Sequence, residues 1–384
     1  MKGGIAHRPA ELRSDRRLAF DDHDIVTSVE NWDVIEAMKT ISCHVGYHRG
    51  GLGQHFSQFV EDARRVGELK RYFSTHVKPD DDGRIGRALG RRVAPWLMRW
   101  TPVRFDPGWR WHVDCDLWDR KIARLLEPGM ECFVGFGGMS LHSFRAARRM
   151  GCPRLELIAA NTHVDNCFRL HAKATHRHPV EKPWLNDVHR RKTIQEYKMA
   201  DVIWYASEYA REVFVRHGVG DKKLRRIHYL TDPRFTPDPT MKPCDGVFRV
   251  VYVGALTVAK GIPVLLEAFE KFKDAPAELT LVGGSGSRGM RKYLERWLTR
   301  DPRVRIAPGD PLPHLRRADV CVHPSWEDNL AYSALEAMRA GVPVVVTADT
   351  GMKEYVTEGR DGYIVPTGDG DAMLDRMREV ARRR

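Results

Sequence analysis

The sequence predicts an α/β protein built from two doubly wound domains. Its 384 residues are enough for two domains of ordinary size. Short apolar runs alternate along the chain with stretches of helical periodicity, which is the pattern of parallel strands joined by crossover helices. Residues 231–246 contain four prolines and only single apolar residues, as is typical of a linker between domains.

The clearest unit is a strand, a helix and a second strand in the second half of the chain. Apolar runs at 320–323 and 342–346 predict the two strands. Apolar residues at helical spacing between them predict the helix, which we expect Asn329 to cap. Such a unit is a right-handed crossover, and ligands bind these sheets beyond the carboxyl ends of the strands. The loop at 324–329, which contains Asp328, is therefore expected to contact a ligand.

Composition and charge limit the classes of protein that fit. The hydrophobic share of 42% and the charged share of 30% are typical of a soluble globular protein, and no run of about 18 apolar residues is present. The seven cysteines are scattered, which favours reduced thiols in the cytoplasm. The net charge of +12 favours anionic partners such as nucleotide diphosphates, acidic lipid surfaces or nucleic acid. Residues 1–38 form an N-terminal extension without a signal-peptide core, to which we assign no chemistry.

A glycine-rich loop follows the first predicted strand of the N-terminal domain, residues 39–230. The strand at 41–46 leads into Gly50, Gly51 and Gly53, and a helix is predicted directly after them. Glycines let the backbone approach a phosphate, and a helix N-terminus favours an anion. These residues are candidates for phosphate binding, and an ordinary glycine-rich turn is the alternative.

His163 follows another predicted strand, at 155–160, and therefore lies just past a carboxyl end where site residues are expected. A purely structural histidine is the alternative. Asp165 and His171 lie nearby in the sequence, but their spacing matches no standard zinc pattern, so we predict no metal site.

Residues 84–104 contain six arginines, two tryptophans and no acidic residue. A basic helix with interfacial tryptophans is typical of a segment that lies on an anionic membrane surface. A solvated basic face packed on the domain is the alternative. No recognisable nucleic-acid-binding module accompanies the charge, so nucleic acid is not expected as a partner.

The C-terminal domain, residues 247–384, begins with a strand at 249–253. The sequence G-A-L-T-V-A-K-G follows, with Gly254 at its start and Lys260 near its end. A strand at 278–282 then leads to a second glycine turn that starts at Gly283. Glycine turns and a lysine beyond strand ends favour the binding of a phosphate group.

The stretch around Asp328 resembles the donor-site motif of retaining glycosyltransferases of family 4, which have the GT-B fold of two Rossmann-like domains that face each other across a cleft. The residues that fit this motif are Pro324, Ser325, Asp328, Glu336, Ala337, Met338, Gly341, Pro343, Val344 and Val345. The family usually has Glu where this chain has Asp328. The family's Gly-Arg-Leu also becomes Gly-Ala-Leu here, with Ala255 in place of the arginine. Arg49, Arg288 and Lys292 are candidates to replace its charge.

The resemblance implies transfer of a sugar from a nucleotide-diphosphate sugar to a glycan or lipid-linked acceptor in cell-envelope or polysaccharide biosynthesis. It implies His163 and Asp328 as catalytic residues, with Glu336 on the ribose. The residues assigned to the donor site are Gly50, Gly51, Gly53, Gly254, Lys260, Gly283, Asn329, Leu330 and Glu336. Neither a cofactor nor a metal is expected. The expected location is the cytoplasm, with peripheral attachment to the inner face of the membrane through residues 84–104.

Two alternatives belong to other classes of protein. One is a non-catalytic GT-B subunit that binds nucleotide sugars. It rests on Ala255, on Asp328 and on a C-terminus shorter than is usual in the family. The other is a basic nucleic-acid-binding protein, which a steep dependence of binding on salt would support. A dinucleotide-dependent oxidoreductase is disfavoured because no complete G-x-G-x-x-G follows the first strand.

Overall fold

The computed structural model describes residues 37–78, 81, 85–89, 101 and 106–384. Within them the chain forms two parallel β-sheets flanked by helices, and this confirms the predicted pair of doubly wound α/β domains. The predicted linker at 231–246 lies between the last strand of the first sheet and the first strand of the second. Almost all of the N-terminal extension, and most of the basic segment at 84–104, lie outside the described residues.

Seven strands form the N-terminal sheet in the described part of the chain. They are β1 (Lys39–Ser42), β2 (Leu69–Ser74), β3 (Gly86–Ala88), β4 (Cys132–Phe136), β5 (Arg154–Ile158), β6 (Val202–Tyr205) and β7 (Leu224–Arg226). Their order is β3-β2-β1-β4-β5-β6-β7, and all neighbouring pairs are parallel. The order reverses between β1 and β4, and ligands of doubly wound sheets bind at such a reversal.

Helices cover both faces of this sheet. They are α1 (Gly50–Arg65), α2 (Pro107–Ala123), α3 (Leu141–Arg149), α4 (Val164–Arg177), α5 (Asp187–Met199) and α6 (Glu208–Arg216). The predicted cap of α6 is present, since the Ser207 side chain accepts a hydrogen bond from the backbone N–H of Ala210.

The C-terminal sheet has six parallel strands in the order β10-β9-β8-β11-β12-β13. These strands are β8 (Phe248–Val253), β9 (Ala277–Val282), β10 (Val304–Ile306), β11 (Val320–His323), β12 (Val344–Thr347) and β13 (Gly362–Val365). The helices are α7 (Ile262–Lys271), α8 (Arg288–Arg300), α9 (Leu312–Leu315), α10 (Tyr332–Arg339) and α11 (Gly370–Arg382). Helix α11 packs against α7.

The apolar runs of the sequence become strands that are buried on both faces. Every residue of β4, β11 and β12 is buried. Such strands have no solvent face, which is why their sequences lack the apolar and polar alternation of a half-exposed sheet. No helix of the described residues is both long enough and apolar enough to cross a bilayer.

Three local predictions are wrong. Helix α1 begins at Gly50, so the glycine-rich loop forms its first turn instead of preceding it. Residues 86–88 form the edge strand β3 and pair with β2, so they are not part of a basic helix. Helix α10 begins at Tyr332, because Asn329 uses its side chain to bind the other domain and does not cap the helix.

Candidate functional site

A cavity of about 1450 Å³ lies between the two domains and is lined by residues of both. From the N-terminal domain it is lined by the start of α1, one face of α2 and the loop before α5. From the C-terminal domain it is lined by the loops after β8, β9 and β11 and by the start of α10. Parallel sheets bind ligands at such carboxyl ends, so this cavity is the candidate functional site.

Two glycines allow the loops after β8 and β9 to touch at the edge of the cavity. Gly254 and Gly283 have φ angles of +147° and +152°, a region that other residues rarely adopt. A Cβ atom on Gly283 would lie 1.9 Å from the carbonyl oxygen of Gly254. Both residues line the cavity and present bare backbone to it.

Lys260 and Asp328 form an ion pair at the edge of the cavity. The Lys260 Nζ atom lies 2.5 Å from Asp328 Oδ2, and His323 Nε2 lies 3.2 Å from the same oxygen. Burial opposes ionisation of Asp328, but the charge of Lys260 and the hydrogen bond with His323 leave its pKa well below the usual range. Burial also acts against the Lys260 ammonium, yet Asp328 leaves the pKa of Lys260 raised. Both side chains are therefore ionised at neutral pH.

Glu336 lies on α10 with its side chain in the cavity and only 5% of its surface exposed. Burial raises the pKa of its carboxyl to about 7, against the opposing effect of a hydrogen bond from Gln54 of α1. The glutamate is therefore half ionised near neutral pH and faces the N-terminal domain.

Glu327 makes polar contacts between the domains beside this site. It is fully buried and accepts hydrogen bonds from the backbone N–H of Thr162 at 2.8 Å and from the Asn161 side chain at 3.2 Å. His171 Nε2 lies 3.7 Å from its carboxylate. Burial, followed by the charge of Asp328, raises the pKa of Glu327. The two adjacent acids therefore have different partners: Glu327 binds the N-terminal domain, and Asp328 binds Lys260.

Asn329 also connects the domains and is not among the residues that line the cavity. Its side chain donates to the carbonyl oxygen of Ala159 at 2.7 Å and accepts from the backbone N–H of Ala206 at 3.2 Å. Its backbone carbonyl accepts from the Ser207 hydroxyl. The structure therefore places Asn329 in an interdomain contact, whereas Leu330 lines the cavity as predicted.

The three glycines of the first loop have two different roles in the structure. Gly50 and Gly51 line the cavity. Gly53 does not, and a Cβ atom on it would lie 2.6 Å from the carbonyl oxygen of Gly46. Gly53 therefore permits α1 to pack closely on the loop after β1, which is a structural requirement rather than a ligand contact.

The predicted position of His163 in the cleft is wrong. His163 is the N-cap of α4, with its Nδ1 atom accepting from the backbone N–H of Asp165. Its ring is 4% exposed, stacks on His217 at 4.5 Å between ring centroids, and contacts Tyr197 and Phe214. Burial and the neighbouring His217 lower the pKa of His163 to about 4. It is a neutral ring inside the N-terminal domain.

The same cluster contains the groups closest to a metal-binding arrangement in the described residues. His163, Asp165 and His217 each offer one ligand atom, and these atoms lie within 4.8 Å of one another. However, the two imidazole rings stack nearly parallel, with an interplanar angle of 14°. Asp165 also forms an ion pair with Arg190. His163 Nδ1 accepts from the backbone N–H of Asp165, and His217 Nδ1 lies 2.8 Å from the carbonyl oxygen of Val213, so each of the three side chains has a partner within the protein.

Sequence reasoning missed several residues of the cavity, among them His171, His323 and Asn161. His171 is buried, and burial with the nearby charge of Lys260 lowers its pKa to about 3. Its position eight residues after His163, on the same helix, was the only sequence signal for it. Of the three cations considered as replacements for the family's arginine, Arg288 lines the cavity, whereas Arg49 and Lys292 do not.

Two facing doubly wound domains with a shared cleft define the GT-B fold, and similar solved structures have it. Sucrose-phosphate synthase from Thermosynechococcus elongatus superposes with a TM-score of 0.66 at 18% identity, covering 90% of this chain and 89% of that one. WaaG, a glycosyltransferase involved in lipopolysaccharide biosynthesis, gives a TM-score of 0.63 at 15% identity, covering 90% of each chain. Anabaena HepE in complex with UDP-glucose gives 0.63 at 16% identity, covering 89% of each.

The sequence comparisons match the C-terminal domain. Residues 247–383 match the family model for glycosyl transferases group 1. The putative colanic acid biosynthesis glycosyltransferase WcaL of Escherichia coli (strain K12) is 30% identical over 158 residues, 38% of each chain. The capsular polysaccharide biosynthesis glycosyltransferase CapM of Staphylococcus aureus is 29% identical over 140 residues, 35% of this chain and 36% of CapM. The chain thus matches little more than a third of the length of these relatives.

Proposed function

We propose that this protein is a retaining glycosyltransferase that moves a sugar from a nucleotide-diphosphate sugar to a glycan or lipid-linked acceptor. One observation carries the proposal: Lys260, Asp328 and Glu336 all line one cleft between the two domains, and Lys260 and Asp328 form an ion pair there. The match of the C-terminal domain to glycosyl transferases group 1, together with its similarity to WcaL and CapM, supports a place in polysaccharide biosynthesis.

The leaving diphosphate gains negative charge as the glycosidic bond breaks, so it needs cations and N–H donors already in place. Lys260 supplies a permanent positive charge at the edge of the cavity. Gly254 and Gly283 bring backbone within reach of the phosphates without a side chain between them. Arg288, at the first turn of α8, supplies the second cation in place of the arginine that Ala255 replaces.

Glu336 accepts hydrogen bonds from the ribose diol in this proposal, because one ionised carboxylate presents two oxygens to two adjacent hydroxyls. Asp328 accepts from the hydroxyls of the transferred sugar. It is ionised and already oriented by His323 and Lys260, so little reorganisation is needed when the sugar binds. The leaving phosphate takes the proton of the acceptor hydroxyl, and no metal is required.

The most direct test has two stages. A thermal-shift screen against UDP, GDP, ADP and their sugars identifies the nucleotide, since a ligand at 100 times its dissociation constant adds about 2.7 kcal/mol of stability. The selected nucleotide sugar is then mixed with candidate acceptors, and release of the free nucleoside diphosphate is followed. Retention is read from the anomeric proton signal of the product. Binding without release would instead support the non-catalytic subunit, the alternative that Ala255 favours.

We also propose that the protein docks on an anionic membrane surface through residues 84–104. The support is the sequence of that segment, with six arginines and no acid. Co-sedimentation with anionic liposomes should fade as salt is added and fall when Arg91, Arg92 and Arg99 become Glu. Equal sedimentation with neutral vesicles would contradict an electrostatic attachment.

A further inference from the structure

The wall of the cavity on the side of the N-terminal domain is formed largely by one face of α2. The residues of α2 that line the cavity are Pro107, Arg110, Trp111, Asp114, Leu117, Trp118 and Lys121. Their spacing of three or four residues places them on one side of the helix. None of the proposed donor contacts uses this face, so its chemistry bears on the second substrate.

One end of this wall combines two aromatic rings with two cations. Trp111 of α2 and Trp184 of the loop before α5 meet edge to face, with ring centroids 6.0 Å apart. Arg110 is exposed beside Trp111 and has no ion pair among the described residues. Lys182 is 70% exposed and forms an ion pair with Asp106, the N-cap of α2, at 3.3 Å, which places it at the same end of the helix.

The backbone at this helix end is not available to a ligand. The Asp106 carboxylate already accepts from the backbone N–H groups of Gly108 and Trp109, at 3.0 and 3.1 Å. An anion bound here would therefore be held by the side chains of Arg110 and Lys182. Guanidinium groups bind phosphate and carboxylate through paired hydrogen bonds, and a tryptophan ring offers a flat apolar face to a sugar ring.

The tryptophan pair also lies near the proposed reaction centre. The Trp184 ring lies 5.6 Å from that of His171, measured between centroids. His171 in turn lies 3.7 Å from Glu327, the residue before Asp328. A sugar ring on the tryptophans would thus lie close to the place where the transferred sugar is held.

We propose that this end of the wall selects an acceptor glycan that carries a negative charge, with its sugar ring on Trp111 and Trp184 and its anionic group at Arg110 and Lys182. The inference rests on the proposed function and specifies its acceptor. The charge is that of a phosphate or of a uronic acid carboxylate, since both fit a guanidinium and an ammonium group. Neutral glycans lack a partner for these two cations and bind more weakly.

The test uses the full chain with its donor site saturated by the nucleoside diphosphate found in the thermal-shift screen. Tryptophan fluorescence is titrated with three probes of one ring type: methyl glucoside, methyl glucuronide and glucose 6-phosphate. We expect at least one anionic probe to bind about tenfold more tightly than methyl glucoside. A preference for the glucuronide or for the phosphate identifies the source of the charge.

Two matched variants locate the effect. Arg110→Gln should weaken the favoured anionic probe about fivefold and leave methyl glucoside unchanged. Lys121→Gln removes a cation from the same face of α2, roughly 16 Å along the helix axis, and should change neither. Trp111→Ala should weaken all three probes.

Equal affinities for the three probes, or equal losses in Arg110→Gln and Lys121→Gln, would overturn the acceptor inference while leaving the proposed function in place. The proposed function fails in a different way, by absence of any nucleoside diphosphate binding in the preceding screen. The dissociation constant of the nucleoside diphosphate should be the same in wild type and in Arg110→Gln, because Arg110 lies on the acceptor wall.

Discussion

Replacement of Lys260 by alanine should separate donor binding from the internal stability of the site. In the proposed complex Lys260 forms a charge-assisted hydrogen bond with the donor diphosphate, and such a bond contributes about 1.5–3 kcal/mol. Lys260→Ala should therefore raise the dissociation constant of the nucleoside diphosphate by about 10- to 160-fold. Isothermal titration calorimetry measures this directly. Lys292→Ala is the matched control, because Lys292 lies in the same domain outside the cavity and should bind like wild type.

The same substitution also leaves Asp328 without its cation. The Asp328 side chain is 10% exposed and that of Lys260 is 29% exposed, so the pair is largely buried. Loss of one partner of a buried pair costs about 3–5 kcal/mol, and we expect about 1–3 kcal/mol here because Lys260 is partly solvated and His323 still contacts Asp328. Urea unfolding of the ligand-free variant measures this cost.

Adding Asp328→Asn to Lys260→Ala distinguishes the two effects. The second substitution removes the uncompensated carboxylate and should recover part of the lost stability. It should not recover affinity for the nucleoside diphosphate, since the cation is still absent. Recovery of both quantities together would refute a direct role for Lys260 on the phosphates, and so would unchanged affinity in the single variant.

Glu336→Gln should abolish most activity with little loss of fold. In wild type, the affinity for the nucleotide should rise as the pH increases through 7, because Glu336 ionises there. This rise in affinity should be absent in Glu336→Gln. Because the pKa of Glu336 is raised by folding from 4.5 to about 7, its contribution to the free energy of unfolding is present below pH 4.5 and is lost as pH rises through 7. His163→Ala should lower the free energy of unfolding by about 1–3 kcal/mol through lost packing, while activity measured well below the melting temperature stays near that of wild type. If turnover instead falls by a factor of about 10²–10⁴ and the fold is intact, His163 has the catalytic role implied by the family resemblance. EDTA should leave the rate unchanged, and the product should keep the anomeric configuration of the donor; an absolute metal requirement or an inverted product would contradict the proposed mechanism.

The sequence by itself was sufficient for the fold. Buried parallel strands are continuous apolar runs, and helices repeat their apolar residues every three or four positions, so both are local properties of the chain. The strands at 320–323 and 344–347 fall where these runs predict them. The close contacts of Gly254 and Gly283 were likewise visible as glycines directly after strands. Lys260 and Glu336 could be selected because a motif of fixed spacing contains them.

Tertiary structure alone decided which side chains enter the cleft. Glu327 and Asp328 are adjacent in sequence, yet only the packed domains show that the first binds Thr162 and the second binds Lys260. In the same way His171 faces the cavity, whereas His163 is enclosed by the rings of α5 and α6. These contacts join residues far apart in the chain, so no local pattern encodes them. Helical periodicity predicts which residues of α2 share one side of the helix. Only the packing of α2 in the N-terminal domain determines that the side with Arg110 lines the cleft.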